Sequence, residues 1–381
     1  MTPVPTGVPA PAEVVEIEEL PLGAASALHD AWNDLLLRAV EPSILAGPDF
    51  LLPALETFAP GARLLVAHRG SGGARRLVAV AALVRPRFRL LRLPTFHTGD
   101  FAPLGVPLVD ADRPEEVLAA LLAALARRTG GLVLPHLPLD GPFAAALDRA
   151  AADRPIWTIA PHERADLRAG TSATDLDRHA GRKRRHEWRR QARRLAETGT
   201  LRASVATGAA APAAFAEFLH LEAAGWKGRD RTALADHPAI RRFAERAVAA
   251  LAEHDRVAID RLDLDGRPLA MLVSFGVAGR WVSWKTAYDE AFAAHSPGTR
   301  VLLNATERFL GNDGFVETDS LAVADHPLMN AVWPGRRRIG TRVIGLGRTP
   351  LVAWAAALEL RLAAALRRMA RDLRDRWRAG R

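Results

Sequence analysis

The sequence predicts an α/β protein of two similar units in tandem, each a mixed, mostly antiparallel sheet flanked by helices, with a C-terminal helix. Three observations carry this. The chain has 381 residues, more than one typical domain. Short apolar runs bounded by glycine turns alternate with longer stretches whose apolar residues recur three and four apart. The two halves also repeat one order: helices, three meandering strands, a loop, a helix and a further strand. A meander followed by a crossover helix and a parallel strand gives a mixed sheet.

Residues 1–12, rich in Pro and Ala, read as a disordered N-terminus. The first unit takes residues 13–165. A strand at 14–17 precedes helices over 24–40 and 50–58, and strands at 63–68, 77–84 and 88–93 follow. Gly70-Ser71-Gly72-Gly73 turns the first of these into the second. A helix over 114–128 carries Val117, Leu118, Leu121, Leu122 and Leu125 on one side. A strand at 132–136, a helix at 141–152 and a strand at 156–159 close the unit. The polar, aperiodic stretch 164–174 reads as the boundary.

The second unit takes residues 175–348. It opens on a basic helix and continues with helices over 212–224 and 239–253. Strands at 257–264, 269–277 and 281–286 are joined by Asp265-Gly266 and Ala278-Gly279, both hairpin signals. A helix over 297–310, a strand at 315–319 and a short strand near 342–344 complete it. Residues 350–381 form a basic amphipathic helix.

Composition narrows the function. The chain has no cysteine, which excludes disulfides, thiolate metal sites and a cysteine nucleophile and suits a cytoplasmic protein. No apolar run is long enough to span a bilayer, and the start lacks a secretion-signal pattern. The net charge of +9 gathers in residues 182–194 and after Arg361, which suits a phosphorylated cofactor, nucleic acid or an anionic membrane. Histidines are scattered without metal-ligand spacing, so no metal is expected. There is no phosphate-binding Walker loop and no Gly-x-Ser-x-Gly elbow.

The site is expected in residues 284–303, WKTAYDEAFAAHSPGTRVLL. An apolar strand ends there, passes a polar loop and enters a helix. Ser296 is placed to cap that helix, Pro297 suits its first position, and Gly298 permits close approach to the backbone. With Thr299 and Arg300 these residues make a cationic helix start that favours a bound anion. The corresponding helix of the first unit starts Asp112-Arg113-Pro114-Glu115-Glu116, and its glutamates would repel one. In the loop, Tyr288 can serve as an acid, Asp289 or its neighbour Glu290 as a base, and Lys285 as a carboxylate or oxyanion ligand. Strand alternation puts Ser283 and Lys285 on one face and Trp284, Thr286 and Tyr288 on the other, so Lys285 and Tyr288 converge only across a bulge. The alternative is a packed Tyr288 ring beside a solvated acidic loop.

Three stretches carry a resemblance: the basic helix RKRRHEWRRQARRLAETGTL, the segment LEAAGWKG, and AYDEAFAAHSPG before a helix. Together with the element order, they resemble the GNAT acyltransferase fold in tandem, as in the Fem-type aminoacyltransferases. The match is closer to the cellulose-biosynthesis-type acetyltransferase-like family. The resemblance implies two GNAT-like domains, the first degenerate and the second functional. It also implies acetyl-CoA or another acyl-CoA as donor, held at Ser296, Gly298, Thr299 and Arg300. The usual GNAT phosphate loop is Arg/Gln-x-x-Gly-x-Gly/Ala; here Gly298 is the only glycine of the turn and Arg300 follows it. A Fem-type reaction with aminoacyl-tRNA, and a non-catalytic part in envelope polysaccharide assembly, therefore stand beside acyl-CoA transfer.

The acceptor, an amine or hydroxyl on a small molecule, glycan or peptide, is expected at Glu222, Trp226, Lys227 and Asp319. In LEAAGWKG, Gly225 ends a helix and Trp226 and Lys227 follow it, either binding acceptor or packing between units. Asp319 ends the strand after the crossover helix and serves as an amine ligand or a turn former. On the basic helix Trp188, Ala192 and Leu195 make a buried stripe. Arg182, Arg185, Arg189 and Arg193 line one flank, and Lys183, Arg190 and Arg194 the other. They form a phosphate contact or a solvated face. In the tail, Leu358, Leu362, Leu366, Met369, Leu373 and Trp377 recur at helical spacing among six arginines. The first half is expected to pack on the body and the end to meet a partner helix or an anionic membrane.

Overall fold

The structure is a computed structural model that describes residues 14–379 apart from 71, 73, 74, 87, 88, 348 and 349. The expected disordered stretch 1–12 lies outside the described residues. The first half runs β1 (Val15–Pro21), α1 (His29–Arg38), α2 (Pro48–Phe58), β2 (Arg63–Arg69), β3 (Arg76–Val84), β4 (Thr95–Phe96), β5 (Leu108–Val109), α3 (Pro114–Ala126), β6 (Gly131–Pro138), α4 (Pro142–Ala150) and β7 (Ile156–Arg168). The second runs α5 (Ala173–Ala196), β8 (Leu201–Thr207), α6 (Ala211–Ala224), α7 (Trp226–Arg229), α8 (Pro238–Glu253), β9 (Val257–Leu264), β10 (Arg267–Val277), β11 (Arg280–Tyr288), α9 (Pro297–Leu310), β12 (Glu317–Asp319), α10 (Pro327–Val332), β13 (Gly335–Gly345) and α11 (Leu351–Ala379). The strand expected at 88–93 is found instead as β4, a few residues later.

All thirteen strands join one sheet, ordered β1-β2-β3-β4-β6-β13-β7-β12-β11-β10-β9-β8, with β5 beside β3. The repeat is visible in the pairing. In each unit the crossover helix returns the chain to a parallel neighbour: β6 beside β4, and β12 beside β11. Both β9–β10–β11 hairpins turn as the dipeptides require, with Asp265, Gly266, Ala278 and Gly279 all at positive φ.

The closing strands are exchanged. β7 ends the first unit yet pairs with β12 of the second, while β13 ends the second and pairs with β6 of the first. β7 and β13 also pair with each other and so join the halves into one sheet. This corrects two expectations. The stretch read as an irregular boundary is, through Arg168, a strand with Arg164, Ala165, Asp166 and Leu167 buried. The short strand near 342–344 is an eleven-residue one.

Aromatic packing closes the contact between halves. Trp284 of β11 meets Phe50 of α2, Phe243 of α8 and Phe275 of β10, with ring centroids 6.2, 6.4 and 4.9 Å away. Its indole N–H donates to the Phe101 carbonyl at 2.9 Å. A second core forms under α9, where Val301, Leu302, Ala305 and Phe309 face the sheet. This core fixes the angle at which the start of α9 is presented.

Candidate functional site

α5 begins with a complete capping box, Ser172 and Asp175, and breaks at Gly181, whose φ is 75°. The piece after the break lays Trp188 and Leu195 on the second core. That leaves Arg185, Arg189 and Arg193, spaced by four, on the flank toward the start of α9. Between the two helices lies a cavity of about 730 Å³, walled by these arginines and by Ser296, Thr299 and Arg300. Arg185 is held by Asp177 at 2.6 Å. Among the described residues no carboxylate lies within 4 Å of the guanidinium of Arg189, Arg193 or Arg300.

The start of α9 matches this charge. Ser296 sits at the N-cap with φ 51°, in the left-handed region, and its side chain makes no capping bond. This corrects the expected cap: Pro297 has no N–H and the Thr299 and Arg300 N–H groups donate to the Ser296 carbonyl, so the helix start offers the cavity its positive dipole end and the side chains of Ser296, Thr299 and Arg300. No acid occupies that turn. α3 enters in the same way, with Arg113 at φ 52°, but carries Glu115 and Glu116 in its first turn. Those glutamates pair with Arg149 and Arg113. The two units therefore share an entry geometry and differ in its charge.

Gly298 is not part of the cavity wall. It is buried on the sheet side of α9, where a side chain would meet the Tyr288 ring at 3.4 Å. Tyr288 accordingly lies half-buried under the first turn of α9. Lys285 is on the opposite face. The register of β10 with β11 shifts at Val273/Ser274, so that Ser283 faces Ser274, Lys285 faces Val273 and Trp284 is the extra residue. Trp284 and Lys285 thereby share a face, and the Lys285 ammonium stands 5.0 Å from the Phe101 ring centroid. The expected bulge exists, but it lies before Lys285 and does not bring it to Tyr288. Burial lowers the Lys285 pKa and the nearby Lys227 lowers it further, against Glu222 and Asp100.

Asp289 does not face the cavity as a base: its carboxylate accepts the Ala291 N–H and holds the turn after β11. Glu290 accepts from Trp226 N–H and from Arg229, and the Arg229 bond lowers its pKa.

The LEAAGWKG stretch turns inward. Gly225 ends α6 in extended rather than left-handed backbone, and the chain goes straight into α7. Gly228 is required there, because a Cβ would lie 1.9 Å from the Ala223 carbonyl. Lys227 donates to Glu222 at 2.8 Å and to the Thr286 carbonyl at 3.0 Å, while the second Glu222 oxygen accepts the Leu234 N–H. Glu222, 2% exposed, is thus a structural carboxylate that ties α6 and α7 to β11. Glu222→Ala is expected to cost about 3 kcal/mol in urea unfolding by leaving Lys227 unpaired; an unchanged midpoint would contradict this. Trp226, 49% exposed, is the member of the motif that remains accessible.

Asp319 is 1% exposed and is not an open amine ligand. It meets Arg164 at 2.6 Å and Arg337 at 3.6 Å and accepts the Leu321 N–H. Burial opposes the charge on Arg337, but Asp319, Glu317 and Glu41 overcome it and hold its pKa above the ordinary value. This cluster sits where β7, β12 and β13 meet.

β11 pairs with β12 only through Arg280, Trp281 and Val282. From Ser283 to Tyr288 the edge on that side has no strand partner among the described residues. A second cavity, of about 960 Å³, lies on the Lys285 side against the first unit, with Phe50, Phe58, His97, Asp100 and Phe101 in its wall. Sequence reasoning missed it because its lining comes from scattered loops and helix ends, nearly all of them in the first half. Among the described residues no cluster of three or more His, Asp or Glu could hold a metal ion, and no helix is long and apolar enough to cross a membrane.

Residues 182–325 match the family described as acetyltransferase (GNAT) domain, which supports an acyltransferase. No curated protein matches the sequence. Solved structures show the same fold over most of the chain. FemX is similar at 13% identity and a TM-score of 0.55, over 88% of this chain and 98% of its own. The C-terminal domain of an Agrobacterium fabrum protein assigned as a lysylphosphatidylglycerol synthetase is similar at 12% identity and a TM-score of 0.55, over 88% and 95%. A conserved protein of unknown function from Bacteroides thetaiotaomicron is similar at 12% identity and a TM-score of 0.51, over 87% and 100%.

Proposed function

We propose that this acyltransferase takes its acyl group from acyl-CoA, acetyl-CoA first, and passes it to an amine or hydroxyl. The observation that carries the reading is the cavity between α5 and the start of α9. Arg189, Arg193 and Arg300, which have no carboxylate partner among the described residues, and an uncapped, acid-free helix start converge there. Such a set suits the phosphates of the donor. The unpaired edge of β11 beyond Val282 offers N–H and C=O groups to the amide-bearing arm.

The acceptor lone pair attacks the thioester carbonyl, the C–S bond breaks, and the acceptor loses a proton while the thiolate gains one. Tyr288, under the first turn of α9, is proposed to give that proton. The acceptor, a small molecule, glycan or peptide, is assigned to the Lys285 side of the sheet, where Lys285 is proposed to bind an acceptor carboxylate. The resemblance to the cellulose-biosynthesis-type family favours an envelope glycan.

In a transfer assay that follows free thiol, Tyr288→Phe is expected to lower kcat about 100-fold with the donor KM little changed. Wild-type turnover would remove Tyr288 from the chemistry. Native mass spectrometry of freshly purified protein tests the donor directly, through a co-purifying CoA species.

A second reading, transfer from aminoacyl-tRNA, is favoured by Arg182, Lys183, Arg184 and Arg194, which stand exposed on α5 outside the cavity and exceed what one nucleotide needs. Salt-sensitive tRNA binding in a chain that ignores acyl-CoA would replace the first reading with this one.

A further inference from the structure

α11 is turned the wrong way for a helix that only packs on its own protein. Its inner face is small: Ala353, Ala356, Ala357, Leu360 and Ala364 are buried, the first four of them with Val133, Ile159 and Val343 of the central strands. Its large side chains point outward. Trp354, Leu358, Leu362, Leu366, Met369 and Leu373 follow one another at three or four residues and are 42% to 65% exposed. From Leu366 to Ala370 every residue is exposed, so the helix continues past the body with its stripe uncovered.

The charges say what covers it. Arg361, Arg367 and Arg368 are exposed on the remaining surface, and the sequence places Arg371, Arg374, Arg376 and Arg378 further along. Glu359 is the one acid among residues 351–370, and its oxygens accept the Leu90 and Leu91 N–H groups. Over the whole helix seven arginines stand against Glu359, Asp372 and Asp375, so a second copy would bring mostly arginine against arginine. The stripe is also wider than the two-in-seven seam of a paired coil. It faces directly away from the buried alanine face, so a flat surface can reach it without meeting the body.

We propose that α11 lies in the interface of an anionic lipid membrane, with the Trp354–Leu373 stripe in the acyl boundary and the arginines among the headgroups. The inference stands apart from the chemistry at the cavity. Its consequence is that the enzyme works at a membrane surface.

The test is flotation of the full chain with vesicles of phosphatidylcholine alone and of phosphatidylcholine mixed with phosphatidylglycerol. The protein is expected to float with the mixed vesicles, less so at high salt, and to stay behind with phosphatidylcholine alone. Leu362→Glu with Leu366→Glu and Met369→Glu should abolish flotation while circular dichroism and the melting curve stay as in the wild type. Changing Arg361, Arg367 and Arg368 to Gln should weaken partition about fivefold per charge. No flotation with either vesicle overturns the proposal. So does light scattering that shows a non-floating dimer broken by the three glutamates, which would make the occupant a second copy.

Discussion

Asp319→Ala is expected to remove about 3–5 kcal/mol of folding stability while leaving turnover per folded molecule unchanged. The carboxylate lies in the sheet where the halves are joined, on β12, with Arg164 of β7 at 2.6 Å and Arg337 of β13 at 3.6 Å. Arg164 is as buried as Asp319. Alanine leaves two guanidiniums with little water and one partner fewer, the situation in which breaking a buried pair is most costly. Glu317, which pairs with both Arg280 and Arg337, cannot reach around to replace it. Asp319→Asn, which keeps shape and one acceptor, should lose less than the alanine variant. Urea unfolding reads the loss, and kcat corrected for folded fraction reads the rest. A normal unfolding midpoint with a raised acceptor KM would return Asp319 to the role of substrate ligand.

The second large effect is expected at the cavity. Arg189→Glu combined with Arg193→Glu should raise the donor KM about 100-fold or more with kcat little changed. A charge-assisted bond to a bound anion contributes about 1.5–3 kcal/mol, and reversal adds repulsion to its loss. Both side chains are solvent-exposed on α5 and have no carboxylate partner among the described residues, so stability should stay within about 0.5 kcal/mol. The same reversal at Glu115 and Glu116 of α3, to Lys, should leave the donor KM alone, because that entry is already neutralised by Arg149 and Arg113. An unchanged KM in the α5 variant would show that the anion binds elsewhere.

What the sequence made legible was local. The Asp-Gly and Ala-Gly turns, the contrast between the two crossover-helix starts and the spacing of Arg185, Arg189 and Arg193 each depend on a few neighbouring residues. The exchange of β7 and β13 was not legible, because nothing in a strand names which antiparallel neighbour it will join. For the same reason 164–168 looked like a polar linker: the partner that lets Arg164 be buried lies 155 residues away. The bulge at Trp284 has no signature of its own; because it lies before Lys285, it puts Trp284 and Lys285 on one face and leaves Lys285 and Tyr288 on the opposite faces that alternation predicts. Glu222 and Lys227, close in sequence and oppositely charged, looked able to reach outward and instead satisfy each other. A candidate location for the donor site was therefore easier to propose from the sequence than the roles of single residues.

Isothermal titration of the wild-type chain with acetyl-CoA tests the central claim most directly. The expected result is saturable binding at one site per chain that weakens as salt rises and is lost when Arg189 and Arg193 are reversed. No binding of acetyl-CoA or of longer acyl-CoAs, or binding indifferent to that reversal, would contradict it.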